Sequence, residues 1–337
     1  MLYTTLQFII SKMKYSVPYY DLKAEILQKI KANGGWVNAH AHLDRAYTIT
    51  PEKFKLVNSK RNEKWLLNAD IRKSSTVSQI YDRMAQSLEL LIEQGVSATV
   101  SFVDVTPDVK DKAIKAAQKV RDEYKSQIVI KYINLPIYGV LKKENREWFE
   151  IGADFADIIG GTVKTDAPHE AEHMDIMLQK AKEQKKMVHL HVDELNISDE
   201  HETELLAKKT IEHGMEGKVV GIHGISINAY PKEKREEVYK LMKKAGIIMV
   251  ACPMSWIDGW RSDVLTPTHN SVTPADEMTA FGIPVALGID NLYDIFKPLN
   301  DGNMWNDLRL LMEANRWFDI DEVVKVATVN GRKALGI

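Results

Sequence analysis

Short apolar runs alternate with longer amphipathic stretches along most of this chain. Each run is rich in Val and Ile, as expected of a strand buried on both faces, and each following stretch carries the Lys and Glu of a solvent-facing helix. The runs predict eight strands: Trp36 to Ala39, Ala98 to Val105, Ile128 to Leu135, Phe155 to Gly160, Met187 to Val192, Val219 to His223, Ile247 to Ala251 and Pro284 to Ile289. The stretches between them predict helices: Ser78 to Gln94, Lys110 to Lys125, Arg146 to Gly152, Glu170 to Gln184, Ser198 to Gly214, Lys232 to Ala245 and Pro274 to Gly282.

Eight strands joined through helices predict an α/β fold of the (β/α)8 TIM-barrel type. A doubly wound open sheet is the alternative topology. No linker, low-complexity tract or charge block divides the chain, so residues 1–337 are predicted to form one domain. In a barrel the loops after the strands converge on one face, and we expect the functional side chains there.

Composition and charge exclude several classes of partner. The 45 Lys and Arg nearly balance the 47 Asp and Glu, which argues against nucleic acid or an anionic membrane surface as the partner. The apolar runs are far shorter than the roughly 20 residues of a membrane span, and the first residues do not resemble a secretory leader. We therefore expect a cytoplasmic protein, for which a homo-oligomer stays open.

Histidines and one aspartate stand at the predicted strand ends. With a single cysteine, Cys252, a metal would have to be held by His and carboxylate ligands. Three imidazoles and a carboxylate suit one divalent metal such as zinc or iron. His189 shares a face with His191 but lies about 7 Å deeper, so we predict a buried hydrogen-bonding role for it. The candidate site residues at strand ends are His40, His42, His191, His223 and Asp290.

The motifs His40-Ala41-His42-Leu43-Asp44, His191-Val192-Asp193-Glu194 and Gly288-Ile289-Asp290 occur in this order. With them the sequence resembles the amidohydrolase superfamily, and within it cytosine deaminase and related metal-dependent deaminases. The resemblance implies that His40, His42, His191 and Asp290 bind one metal. It also implies that Glu194 shuttles protons and that His223 orients or activates the attacking water.

The chemistry implied by this set is hydrolysis of a C–N bond. A metal makes water acidic enough to supply a nucleophile near neutral pH. Asp290 could take the proton of that water, while Glu194 passes protons to the substrate nitrogen and to the leaving amine. The catalytic candidates are therefore Glu194, His223 and Asp290. The alternative for Glu194 is an ordinary solvated loop carboxylate.

Three positions depart from the cytosine deaminase pattern. Ile137 stands where the family carries a glutamine that grips the pyrimidine edge, so cytosine itself is not the expected substrate. Phe102 replaces a histidine on the second strand, and Asn291 replaces the carboxylate after the last ligand. Aromatic residues suit contact with a flat heterocycle. The substrate-binding candidates of this kind are Trp256, Trp260 and Phe296, with Arg261 beside them. In the alternative, the two tryptophans only anchor their loop.

Arg45 and Lys164 are cations expected at the rim, and we hypothesise that they bind an anionic group of the substrate. In the alternative, Arg45 pairs with Asp44 or Asp70 and Lys164 lies in solvent. Some members of the superfamily bridge two metals with a carboxylated lysine from the fourth strand. Lys164 falls roughly three residues beyond that strand's predicted end, which favours a single metal.

Histidines outside the strand ends have simpler interpretations. The segment from His169 to His173 fits the HExxH pattern of metalloproteases, but start signals put it in the first turn of a helix, which favours a solvated helix face. His201, His213 and His269 are interpreted as solvent-exposed.

The accessory β-sandwich of the family is predicted to be absent or reduced. Few residues precede His40, and the chain closes in a helical pattern from Ile320 to Leu335.

The sequence therefore predicts a metal-dependent hydrolase acting on C–N bonds other than peptide bonds. The favoured activity is a deaminase that releases ammonia from a small nitrogen heterocycle, a small-molecule substrate. Hydrolysis of a cyclic or N-substituted amide is the alternative reaction, and a metal-holding protein without turnover is the alternative class.

Overall fold

The computed structural model describes residues 20–57, 61–257 and 272–337. Residues 1–19, on which the expectation of no secretory leader rests, lie outside it. Among the described residues, no helix combines the length and the apolar composition that a bilayer-spanning segment needs.

Eight parallel strands follow one another around the fold. The first three form one sheet, and the last five form another in sequential order. Parallel bridges between Ala41 and Asp290 and between Ile133 and Ile158 connect the two sheets at both seams. Nearly every strand residue is buried, which explains why the strands read as continuous apolar runs. The strands are β1 (Trp36–Asn38), β2 (Val96–Asp104), β3 (Val129–Leu135), β4 (Ile159–Thr162), β5 (Val188–Val192), β6 (Val219–His223), β7 (Ile248–Ala251) and β8 (Val285–Leu287).

Helices flank the strands and fill the connections. Their starts carry ordinary N-terminal signals: Thr76 and Gln79 form a reciprocal capping box at one, and Asp21 caps another. The helices are α1 (Leu22–Ala32), α2 (Pro51–Phe54), α3 (Arg61–Ser74), α4 (Val77–Glu93), α5 (Lys112–Tyr124), α6 (Lys143–Phe155), α7 (Glu170–Gln184), α8 (Glu202–Glu212), α9 (Lys232–Ala245), α10 (Pro253–Trp256), α11 (Ala275–Ala280), α12 (Met304–Ala314), α13 (Ile320–Ala327) and α14 (Val329–Leu335).

The apolar core has two parts. The larger part lies between the strands and the helices, and the smaller part fills the barrel interior. Ala334 and Leu335 of α14 belong to the interior cluster, so the C-terminal helix closes one end of the barrel. His189 is fully buried, and its Nε2 lies 2.8 Å from the Ala334 carbonyl oxygen, which is the buried hydrogen-bonding role predicted for it.

Several predicted elements differ from the structure. The helix before the fourth strand runs through Phe155, and the strand itself covers Ile159–Thr162. The predicted C-terminal helix breaks at Thr328, whose backbone leaves the helical region, so that α14 can turn under the barrel. The pattern did not indicate α3 or α12. Every strand of the described residues belongs to the barrel, and the reduction of the accessory sandwich stays a prediction.

Candidate active site

Four strand ends bring the predicted ligands together at the C-terminal face of the barrel. His40 and His42 follow β1, His191 lies in β5, His223 ends β6, and Asp290 follows β8. Each of the five side chains has an exposed fraction of 5% or less. The bridge between Ala41 and Asp290 joins the first and the last of these elements.

The donor atoms form two close groups that share His40: one with His191 and His223, the other with His42 and Asp290. Asp290 Oδ1 lies 3.2 Å from His40 Nε2 and 3.4 Å from His42 Nε2. The ring centroid of His191 is 4.9 Å from that of His40 and 5.5 Å from that of His223. His40, His191 and His223 each offer a ring nitrogen within 4.8 Å of the others.

The second nitrogen of His191 is held by the neighbouring strand. Its Nδ1 lies 3.1 Å from the Gly161 carbonyl oxygen and 3.4 Å from the Thr162 hydroxyl oxygen. A carbonyl oxygen only accepts, so Nδ1 carries the proton and the lone pair of Nε2 is directed to the site. Phe102 forms an apolar wall beside these rings, with its centroid 4.8 Å from that of His191.

The backbone at this face adopts conformations that most residues avoid. Asp193, His223 and Asp290 have φ values of 50°, 80° and 58°. Positive φ is costly for residues other than glycine, and such strain is concentrated at functional sites because surrounding contacts must maintain it. Gly288 permits the close approach of β8 to β1, since a Cβ there would lie 2.6 Å from the Cβ of His40.

Burial sets the protonation states that a metal needs. Desolvation lowers the pKa of His191 to about 4 and that of His223 to about 3, and it holds the pKa of His42 well below its usual value. Burial alone would raise the pKa of Asp290, but its hydrogen bond and charge attraction to His40 outweigh this and hold it well below the usual range. Neutral imidazoles and an ionised carboxylate are the ligand forms.

The donor set fits a divalent metal. Around a tetrahedral ion with ligand bonds of about 2.1 Å, neighbouring ligand atoms lie about 3.4 Å apart. The two separations from Asp290 Oδ1, 3.2 and 3.4 Å, match this edge. These two separations involve Nε2 of His40 and of His42, so Nε2 is the nitrogen of each ring that would face the ion.

Two of the predicted substrate contacts lie at the mouth of the barrel interior. The Trp256 ring centroid is 5.0 Å from that of His223, and Trp256 and Ile137 both pack against the interior apolar cluster. The Nζ atom of Lys297 lies 4.9 Å above the Trp256 ring, a cation–π contact that the sequence did not indicate. Trp260, Arg261 and His269 lie outside the described residues.

The loop after β8 carries the other two predicted contacts. Asn291 donates from Nδ2 to Asp294 Oδ2, and the backbone N–H of Phe296 donates to Asp294 Oδ1 at 2.8 Å. The Phe296 side chain is half-buried. Asp294 therefore holds this loop together through hydrogen bonds, and one of these bonds uses the side-chain amide of Asn291.

The predicted rim cations are paired with buried carboxylates. Arg45 is 8% exposed, and its Nη1 lies 3.8 Å from Asp104 Oδ1. Its positive charge also acts on Asp44, one of the partners that the alternative named, and lowers the pKa of that carboxyl against the stronger effect of burial. Lys164 is not surrounded by solvent, because its ammonium group pairs with Glu200 and lies 3.8 Å from Glu202 Oε1. The sequence did not predict these acidic partners, because the residues of each ion pair lie far apart along the chain and no local pattern links them.

The structure also corrects the interpretation of two other histidines. His173 of the HExxH segment is fully buried, with Nδ1 2.7 Å from Asp166 Oδ2, so it does not lie on a solvated face. His213 is paired with Asp175 at 2.8 Å. His201 is exposed, as predicted.

Comparison with known proteins places this arrangement in a family. Residues 34–337 match the model of the amidohydrolase family. An uncharacterised protein of Haemophilus influenzae is 50% identical over 262 residues, covering 77% of this chain and 95% of that protein. The N-isopropylammelide isopropyl amidohydrolase of Pseudomonas sp. is 25% identical over 335 residues, covering 94% of this chain and 79% of that enzyme.

Among solved structures, 5-methylcytosine deaminase from Klebsiella pneumoniae liganded with 5-fluorocytosine superimposes with a TM-score of 0.81 and 23% identity, covering 89% of this chain and 74% of that one. The chain therefore belongs to the amidohydrolase family. The predicted family, the (β/α)8 fold and the class of hydrolase acting on C–N bonds are confirmed. The family is metal-dependent and acts on small molecules.

Proposed function

We propose that this protein is a hydrolytic deaminase that releases ammonia from a small nitrogen heterocycle other than cytosine. His40, His42, His191 and Asp290 would hold one divalent metal, zinc or iron, with His223 beside them. Such an ion lowers the pKa of water to about 7 to 9 and so supplies a nucleophile near neutral pH. The other steps fall to the side chains of the site.

The observation that carries this proposal is the position of Glu194. It lies three residues after His191 and is 7% exposed, so it is not a solvated loop carboxylate. Its negative charge acts on both His191 and His223, raising the pKa of each ring against the stronger effect of burial. A buried acid at this point can protonate a ring nitrogen and then the leaving amine, which would otherwise depart as an anion.

The wall of the site supports a flat, partly apolar substrate. Trp256 and Ile137 pack against the interior apolar cluster, and the half-buried Phe296 belongs to the loop after Asp290; this aromatic and aliphatic surface suits a heterocycle. A glutamine at position 137 would bind a pyrimidine edge through two hydrogen bonds, and isoleucine makes neither. Sites that lack such a group change their preferred substrate, so cytosine is not expected to react well. Arg45, Lys164 and Asn291 stay candidates for contact with a polar or anionic substituent.

Hydrolysis of a cyclic or N-substituted amide by the same residues is the second candidate. One observation favours it: the Pseudomonas relative, whose alignment covers 94% of this chain, is an amidohydrolase by name. The two reactions differ in the leaving group, since a deaminase releases ammonia and this alternative releases a substituted amine or opens a ring.

Product analysis of purified, metal-analysed protein tests the proposal. The panel contains amino-pyrimidines, purines, pterins and triazines, each with and without a carboxylate substituent, together with cyclic and N-substituted amides. We expect ammonia from at least one heterocycle, and we expect chelation to abolish its release. Release of a substituted amine would establish the second candidate. If the metal-loaded protein releases no product from any heterocycle or amide of the panel, the proposal is refuted.

Glu194→Gln provides the residue-level prediction. The amide keeps the size of the side chain but cannot deliver a proton, so kcat should fall by about 10²- to 10⁴-fold while the metal content stays the same. Glu183→Gln, an exposed change on α7, is the matched control and should alter neither quantity. Retained turnover in Glu194→Gln would exclude this carboxylate as the proton carrier.

A further inference from the structure

Glu194 lies in a turn with an unfavourable backbone conformation. The turn joins β5 to the segment before α8, and Asp193 within it has a φ of 50°. A non-glycine residue in this region costs on the order of 1 to 3 kcal/mol and persists only when its surroundings enforce it. The contacts that enforce it therefore also determine where the Glu194 carboxyl group lies.

Two carboxylates hold the peptide groups on either side of Glu194. The backbone N–H of Asp193 donates to Glu202 Oε2 at 2.7 Å, and the N–H of Leu195 donates to Glu200 Oε2 at 2.9 Å. The carboxylate of Asp193 in turn accepts from the N–H groups of Glu202 at 2.7 Å and Thr203 at 3.0 Å. The start of α8 and the Glu194 turn are thus bonded reciprocally.

The same turn is fixed to the loop that follows His223. The Asp193 carbonyl oxygen accepts from the N–H of Ile225 at 2.7 Å, and the Ser226 hydroxyl lies 3.0 Å from Glu200 Oε2. Asp193, Glu200 and Glu202 have exposed fractions of 1%, 4% and 8%. Buried carboxylates need compensating charge. Lys164, from the turn after β4, pairs with Glu200 and Glu202 and provides it.

We infer that Lys164, Glu200 and Glu202 are positioning residues that hold the turn bearing Glu194 for proton transfer. Together with Asp193 they form what we call the Glu194 clamp. This inference deepens the proposed function and rests on the role of Glu194 in it. It differs from the hypothesis that Lys164 binds an anionic substrate, since the ammonium group faces protein carboxylates.

The chain itself provides the contacts that a metal would bring to this cluster. Asp193, Glu200 and Glu202 offer oxygens within 4.8 Å of one another, as metal ligands would. Oxygens of all three carboxylates already accept backbone N–H bonds, and Lys164 pairs with two of the groups. The charge and hydrogen bonds that an ion would have to replace come from the chain itself.

Lys164→Met in the metal-loaded protein tests the inference. Loss of the compensating charge should let the turn move, and displacement of a catalytic group by about 1 Å can cost up to about 100-fold. We expect kcat to fall about tenfold or more, with KM within about twofold of its original value and the metal content unchanged. Lys164→Arg should recover most of the loss. Lys208→Met, at an exposed ion pair on α8, is the matched control and should change nothing.

A double variant separates positioning from substrate contact. If Lys164 acts through Glu194, then Lys164→Met should have little further effect in the Glu194→Gln background. Additive losses, or a rise in KM with kcat retained, would overturn the inference and return Lys164 to the substrate.

Hydrogen exchange gives a readout that does not depend on turnover. Amides 193 and 195 should exchange faster in Lys164→Met than in the original protein and in Lys208→Met, and unchanged protection would overturn the clamp. Because this measurement needs no substrate, it distinguishes failure of the clamp from failure of the proposed reaction. If Lys164→Met does not fold, Lys164→Gln removes the charge while keeping a hydrogen-bond donor and is measured in the same way.

Discussion

Individual side chains at this site are defined by what burial does to them. His42, His191 and His223 are almost wholly enclosed, and enclosure favours their neutral forms, while Asp290 keeps its charge through contact with His40. These three imidazoles are therefore neutral, as metal binding requires, well below neutral pH. An exposed imidazole, with a pKa near 6.5, would already compete with protons for the metal at pH 6.

Metal retention should accordingly persist into mildly acidic solution. Because burial lowers the pKa of His191 to about 4 and that of His223 to about 3, protons displace the metal only as the pH approaches these values. We expect nearly constant metal content from pH 8 to about 5 after equilibrium dialysis, followed by loss, with circular dichroism checking the fold at each pH. A midpoint of loss near pH 6.5 in folded protein would contradict the buried, neutral state of these ligands.

At the scale of elements, the site depends on how closely β8 approaches β1. Gly288 follows the last residue of β8, and a Cβ there would lie 2.6 Å from the Cβ of His40, 3.0 Å from its backbone nitrogen and 3.1 Å from Cys252 Sγ. Moving either the His40 backbone or the buried cysteine to make room for a Cβ would destabilise the fold. The absence of one side chain thus keeps the ligands of two strands within reach of each other.

Gly288→Ala should displace His40. We expect a loss of stability of about 1 to 3 kcal/mol from overpacking and a fall in metal affinity of at least about tenfold. Gly214→Ala is the control: its φ is 64° and nothing lies within 4 Å of an added Cβ, so strain should cost about 1 to 2 kcal/mol without touching the site. Equal metal affinity in the two variants would show that the close approach at Gly288 does not position His40.

For the molecule as a whole, the proposed ligands join distant parts of the chain. His40 and His42 belong to the first strand region and Asp290 to the last, and these regions are joined by an isolated bridge and by a few backbone hydrogen bonds. A metal held by these residues would stabilise the seam where the barrel closes, in addition to its chemical role. The opposite seam, between β3 and β4, contains none of the proposed ligands.

Chelation should therefore loosen one seam selectively. The amides of Ala39 and Ile289 donate across the β1–β8 seam, to Leu287 at 2.8 Å and to His40 at 3.0 Å. We expect their hydrogen exchange to accelerate about tenfold or more when the metal is removed. Ile158, which donates across the other seam to Tyr132 at 3.1 Å, serves as the internal control. Equal acceleration at both seams would indicate general destabilisation instead.

Local patterning determined the order of the strands, most of the helices and the residues at the strand ends. A strand that is buried on both faces needs a run of apolar residues. In a parallel barrel the C-terminal ends of the strands lie on the same face, independent of the conformation of the loops. For this reason the sequence alone suffices to propose His40, His42, His191, His223 and Asp290 as one group. The break at Thr328 was not predictable, because it follows from the fit of α14 beneath the barrel.

The partners of the charged side chains were decided only by the tertiary structure. Lys164 and Glu200 come from loops after different strands, while Arg45 follows β1 and Asp104 ends β2, so no local pattern records which charge meets which. Burial then determines the consequence of each meeting, since a charge enclosed without a partner is far costlier than one in water. The sequence shows that Glu194 stands three residues beyond a ligand. That two carboxylates and a lysine hold its turn in place is a property of the folded chain alone.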